Sequence, residues 1–257
     1  MTITSDFELK HKIGRRAVMT DTRTLRLGNY LGTLTAPPQA VCWSKNVPQY
    51  GMLMNDQLGD CTIAGALHLR QVLAAAAGNP WTPTDAEALQ AYEQIDGYVQ
   101  GNSSTDNGGI LLNVLNAWKQ NGIAGHTILG FASVNVQDFT EVMQAIALFG
   151  GLYTGKLLPK SAQTEDVWHD ISPNDGGVWG GHCTPDTDYD QGTVDGSTAT
   201  TLGLITWGAV KEETLAFFQR YTDEAYVVID PVFIEATGLS ASGVNLAQLQ
   251  ADLALIH

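Results

Sequence analysis

Cys61 stands where a polar, turn-forming segment, Asn55 to Asp60, gives way to an Ala/Leu-rich helical pattern running to Ala77. A thiol at a helix N-terminus meets free backbone N–H groups and the positive end of the helix dipole. Both favour thiolate, and with a cationic partner they lower a cysteine pKa from roughly 8.5 toward roughly 3.5–7.5. The partner needed for nucleophilic chemistry is an imidazole, drawn from His11, His68, His126, His169, His182 or His257. His68 lies two turns along the same helix, too far for direct contact, and reads as a satisfied surface or core histidine. His182 follows Trp179, Gly180 and Gly181, and glycines let a substrate backbone approach closely. The simpler alternatives are a loop histidine beside a tight turn and a Cys61 that is only a small buried hydrophobe.

The elements that must position this pair follow from periodicity. The Cys61 helix stops at Gly78-Asn79-Pro80. A second helix is expected over Thr84–Tyr98, and a third over Ile110–Gln120 with Leu111, Val114, Leu115 and Trp118 on one face. A short helix begins near Asp138, and 151–158 reads as a strand. From Gly176 to Val210 glycine, threonine and β-branched residues dominate, with strands expected around Thr201–Trp207 and Ala225–Ile229 and a helix between them. Asn245–Ile256 closes the chain as an amphipathic helix. The first half is mainly helical and the second mainly β. Residues 1 to about 35 end at the Ala36-Pro37-Pro38 turn and read as an arm or small subdomain.

That arm holds Lys10, Lys12, Arg15, Arg16, Arg23 and Arg26, six of only 13 basic residues set against 27 acidic ones. The net charge of −14 disfavours nucleic acid and anionic membranes as partners. No apolar run approaches the ~18 residues needed to span a bilayer, and the N-terminus lacks the apolar stretch of a signal peptide, so a cytoplasmic location is expected. Three cysteines, Cys42, Cys61 and Cys183, without a CxxC spacing imply a reduced compartment, no metal site and no cofactor.

The order of motifs resembles that of the papain-like cysteine peptidases over roughly residues 36 to 230. The segment PPQAVCWSKNVPQYGMLMNDQLGDC resembles the start of the mature domain, DNGGILLNVLNAWKQNGI the family's NGG segment and following helix, GGH at 180–182 the catalytic histidine region, and Thr206-Trp207-Gly208 the end of its NSWG motif. The resemblance implies an α+β fold of two lobes: a helical left lobe over about 36–135, an antiparallel β right lobe over about 136–257, and an active-site groove between them. It implies Cys61 as nucleophile, His182 as general base and acid, Asn55 in the oxyanion hole, and Gly108, Gly109, Gly181, Trp179 and Trp207 lining a groove for a peptide or amide substrate. Hydrolysis would pass through a Cys61 acyl-enzyme.

This chain departs from the family pattern in several places. Ile205 stands where the family has a histidine-orienting Asn, leaving Thr206, Asp170 or Asp175 to take over. Asp60 precedes the nucleophile, where its carboxylate would cap the helix but oppose a thiolate. Leu58 and Asp106 occupy positions of paired cysteines, and CTPDTDYDQG follows His182 in place of an apolar strand. No long prosegment precedes residue 36, which argues against control by cleavage, although the arm could cover the groove. The departures keep open a non-catalytic binding or structural protein, for example associated with a virion or toxin, and less strongly a transglutaminase or cell-wall amidase relative. Asp186, Asp188, Asp190 and Asp195 suggest calcium, but Gly192 and Ser197 miss the EF-hand positions, so a solvated acidic hairpin is expected. Oligomeric state is not legible.

Overall fold

The computed structural model describes residues 10–31, 36–192, 200–238 and 244–255. Its centre is helix α1, Cys61–Ala76, in which every residue from Cys61 to Ala74 is buried. Besides its apolar residues the helix buries Thr62, His68, Arg70 and Gln71, so it is covered on all sides. On one side lie α2 (Asp85–Asp96) and α3 (Leu111–Gln120), whose Tyr92, Leu111, Leu115 and Trp118 share a core with Ile63, Leu67 and Leu73. Thr84 opens α2 with a reciprocal capping box to Glu87, and Gly97 closes it in the left-handed conformation.

The other side of α1 is a sheet. Its strands are β1 (Ala40–Cys42), β2 (Gly130–Ser133), β3 (Leu152–Pro159), β4 (Val167–Trp168), β5 (Val178–Asp190), β6 (Thr201–Thr206), β7 (Ala209–Thr214) and β8 (Thr222–Ile229). The order is β2-β8-β3-β5-β6-β7-β4 with β1 also on β5, and every pairing is antiparallel except β4 with β7. Helix α4 (Phe139–Phe149) packs on β3, β5 and β8, α5 (Leu215–Tyr221) lies between β7 and β8, and α6 (Pro231–Thr237) returns to α1. Helix α7 (Leu246–Leu255) packs on β2. The expected α+β class is what the chain adopts.

The residues after Gly181 correct two expectations. They form the long central strand β5, not a loop, and Asp186 is wholly buried, not solvated. The reason is a partner: Lys156 Nζ, also wholly buried, lies 3.2 Å from Asp186 and 2.7 Å from Glu213 and hydrogen-bonds Thr222, while Thr154 donates to Asp186. Buried polar atoms with partners fit a strand as well as apolar ones. Asp188 accepts from Ser44, and Asp195 lies outside the described residues. Among the described residues no cluster of three or more metal-ligating side chains occurs, and no helix is long and apolar enough to cross a membrane.

Candidate functional site

The Cys61 wall is built from the loops that meet the start of α1. Asp106 ties two of them together by accepting from the Gly59 N–H at 3.0 Å and the Tyr92 hydroxyl at 2.7 Å, while the Gly108 N–H donates to Tyr92. The expected Asp60 cap is not formed. Its carboxyl instead accepts from the Asn55 amide at 3.1 Å, and burial pushes its pKa well up. The second Asn55 N–H donates to Leu58 O at 3.1 Å. The Asn55 amide, expected as an oxyanion donor, therefore has both N–H groups engaged in holding the loop. The reach of an asparagine, one methylene shorter than glutamine, ends on Asp60.

The opposite wall is His182 in β5. Its Nε2 lies 2.7 Å from Thr206 Oγ1, and its ring stacks on Trp207 with centroids 4.5 Å apart and planes 20° from parallel. Strands β6 and β7 are joined by a two-residue turn, Trp207-Gly208, with φ of +47° and +73°. Positive φ at both positions is the hairpin geometry that follows the sheet twist, and for tryptophan it is strained. The turn lays the indole over His182. Of the three replacements considered for Ile205, Thr206 holds the imidazole, whereas Asp170 lies 3.5 Å from Arg220 and Asp175 accepts from Tyr221. Trp179 packs beside Trp207 at 5.8 Å. His68, the alternative histidine, is buried with Nε2 on Gly51 O.

Between the walls runs the chain's own arm. Lys12 N–H donates to Asn55 O and Lys12 O accepts from Trp207 Nε1, both at 2.9 Å. Gly109 N–H donates to Gly14 O at 2.9 Å, Arg16 N–H to Gly109 O at 2.8 Å, and Arg15 N–H to Gly181 O at 2.9 Å. Residues 12–16 thus lie between the walls and are hydrogen-bonded to both, with one parallel β-bridge pairing Arg15 with Gly109. The approach is close enough to demand glycine. A Cβ on Gly14 would stand 1.8 Å from Gly59 O, and one on Gly181 would stand 2.1 Å from Arg15 O. Gly108, Gly109, Gly181, Trp207 and Cys61 all meet this segment. His182 follows Gly181 in β5, and its Nδ1 has no hydrogen-bond partner.

Burial dominates the electrostatics of the pair, and the arm adds smaller contributions. Burial pushes the Cys61 thiol up to about 12, with Asp60 adding and backbone hydrogen bonds from Cys183 and Gly14 opposing. Burial also lowers His182 to about 3, helped by the positive charges of Lys156, Arg15 and His11. With the arm in place the pair is a neutral thiol and a neutral imidazole.

Sequence reasoning did not find Gly14, Arg15, Asp223 or Glu224. The concentration of basic residues in the arm of an acidic chain was the available signal. Arg15 is anchored by Asp223 at 2.7 Å and Glu224 at 3.0 Å, partners more than 200 positions away.

No family model matches this chain, and no curated protein matches it by sequence. Solved structures do. The cysteine protease xylellain from Xylella fastidiosa superposes with a TM-score of 0.65 at 13% identity, covering 86% of this chain and 97% of that one. Digestive procathepsin L 3 of Tenebrio molitor larval midgut gives 0.59 at 12%, over 87% and 77%. Bromelain protease from Ananas comosus, in complex with the E64 inhibitor, gives 0.55 at 12%, over 75% and 99%. The chain has the papain-like cysteine protease fold.

Proposed function

We propose that the protein is a thiol-dependent hydrolase of peptide or amide bonds, held closed by residues 12–16 of its own chain. The observation that carries this reading is the arm itself: an extended peptide already lies hydrogen-bonded between Gly109, Gly181 and Trp207, with Gly14 beside Cys61. A substrate strand in the same groove would present a carbonyl carbon to the sulfur. Cys61 forms the C–S bond as a thiolate after losing its proton to His182, and the imidazolium returns that proton to the leaving nitrogen as the C–N bond breaks. Water, deprotonated by His182, then releases the acid and restores the thiol. The backbone N–H of Cys61 at the start of α1 is the oxyanion donor in this scheme. Thr206 orients the imidazole, and the Trp207 ring shields that hydrogen bond from water.

The test is the full-length chain carrying Gly14→Val, which the Gly59 carbonyl cannot accommodate beside it. We expect this variant to hydrolyse peptides and to lose the activity when Cys61→Ser is added. A Gly14→Val protein whose Cys61 reacts rapidly with iodoacetamide, showing an open groove, yet which cleaves no peptide in a degenerate library, overturns the proposal.

A further inference from the structure

Arg15 fills a pocket whose chemistry outlasts the arm. The side chain is 2% exposed, its Nη2 lies 2.7 Å from Asp223 and its Nη1 3.0 Å from Glu224, whose own side chain is 4% exposed. Glu224 also accepts from the Tyr226 hydroxyl at 3.0 Å. Gly155 forms the wall against the arginine stem, where a Cβ would stand 2.8 Å from Arg15 Cδ. Burial raises the Glu224 pKa and would lower that of Arg15, but the paired charges keep the guanidinium fully ionised. A buried carboxylate left without a counter-charge is costly, so a pocket of this kind discriminates for a cation.

The position of the pocket along the groove follows from the pairing. Gly14 O and Arg16 N–H bracket Gly109, which makes Arg15 the residue directly opposite it. Residues directly opposite in a β pair point to the same face whether the strands run parallel or antiparallel. A peptide entering in either direction therefore delivers the side chain opposite Gly109 into the Glu224 pocket.

We propose that Glu224, assisted by Asp223, selects peptides bearing arginine at the position opposite Gly109, and that Arg15 occupies the pocket as an internal copy of that residue. The inference rests on the reading of this groove as a peptide site and names the class of peptide it takes. Glu224 is the principal selector because it is sequestered from water. Asp223, 40% exposed, contributes less.

The experiment measures binding, so that it is separate from turnover. The full-length chain with Gly14→Val, Arg15→Ala and Cys61→Ser is titrated with three extended peptides that differ only in carrying arginine, citrulline or leucine at one position. Citrulline keeps the shape and removes the charge. The arginine peptide is expected to bind at least about tenfold more tightly than the citrulline peptide, and Glu224→Gln to abolish the difference. Equal affinity for arginine and citrulline, preference for leucine, or no binding by any of the three overturns the proposal. If Glu224→Gln does not fold, the comparison of arginine with citrulline on the parent protein still decides. Arginine-selective binding with no cleavage by the Cys61-containing protein would sink the hydrolase reading and leave this one standing.

Discussion

Two buried cations in this protein face pairs of carboxylates, and they differ in what carries them. Lys156 belongs to strand β3, and it, Asp186 and Glu213 are all at 0% side-chain exposure. Burial pushes the Glu213 pKa well up against the pull of Lys156, and the two carboxylates raise the Lys156 pKa despite its burial. Arg15 belongs to the arm, whose backbone hydrogen-bonds Asn55, Gly109, Gly181 and the Trp207 indole. One cation is part of a sheet strand and the other is mounted on the arm, which Ile13 and His11 also anchor by packing on the cluster around Trp207. The same chemistry, a basic side chain between two acids, is built into the sheet in one place and carried by the arm in the other. Both bear on His182: Lys156 is its register partner across β3 and β5, and both cations depress its pKa, which burial lowers most.

The largest effect is expected at the fixed cation. Lys156→Ala leaves buried carboxyl groups without their counter-charge and should lower global stability by about 3–5 kcal/mol, read from urea denaturation. Arg15→Ala also removes a partner from Glu224, but the arm can leave and let water reach the carboxylate, so its global cost should be less than half as large. Equal costs for the two substitutions would break the comparison and make the arm an integral part of the fold.

The second effect belongs to the removable side. Gly14→Val cannot keep its carbonyl on Gly109 without driving a side chain into Gly59 O, so the arm must leave the groove. Alkylation of Cys61 by iodoacetamide at neutral pH should accelerate by about two orders of magnitude, because the thiol is no longer held near 12 by burial. Cys183, also buried and with its thiol pushed well up, serves as the internal reference and should not accelerate in parallel. A Cys61 that reacts no faster in Gly14→Val than in the parent protein would show that burial of the thiol is independent of the arm.

How much of this the sequence disclosed depends on whether the signal was local. The Cys61 helix was legible because its apolar run, its polar entry and its Gly78-Asn79-Pro80 stop are all contiguous. His182 and Trp207 were legible as the ends of short motifs. Strand β5 was not, because Thr184, Asp186 and Thr187 look like loop residues until Lys156 and Thr154, some 30 positions away, are placed beside them. Asn55 was read as an oxyanion donor because its use by Leu58 O and Asp60 is a matter of loop geometry. The pairing of Arg15 with Glu224 spans 209 positions and leaves no periodic trace. What the sequence withheld are long-range polar pairings, and they decide how the groove is filled.

Thr206 sharpens the comparison at its centre. Thr206→Val keeps the shape and deletes the partner of the His182 Nε2, leaving a buried ring nitrogen without a hydrogen bond. A loss of about 1–3 kcal/mol of stability is expected. With the groove opened by Gly14→Val, peptide hydrolysis should fall with kcat and not KM, since the imidazole remains present but is no longer oriented. Unchanged kcat would assign the orienting role elsewhere, Trp207 stacking being the remaining contact.

The smallest effect is a pH slope, and it tests whether both cations reach His182. The ring is lowered to about 3 from its ordinary 6.5. Between those values the unfolded chain binds a proton that the folded chain does not. His182 therefore leaves stability intact above pH 6.5 and subtracts from it as pH falls, at up to about 1.4 kcal/mol per pH unit. Buried acids with raised pKa values, such as Asp60 and Glu213, act in the opposite sense, because the folded chain retains their protons. The net profile is thus uninformative, and the quantity to measure is the difference between the parent protein and His182→Gln at pH 7 and pH 5. That difference should shrink in an Arg15→Ala background, where one cation and part of the cover are gone and the His182 pKa moves back toward 6.5. It should not vanish, because Lys156 remains in place. A difference unaffected by Arg15→Ala would mean that the arm, though it fills the groove, contributes nothing to the electrostatics of the imidazole, and that the fixed cation and the sheet alone hold His182 neutral.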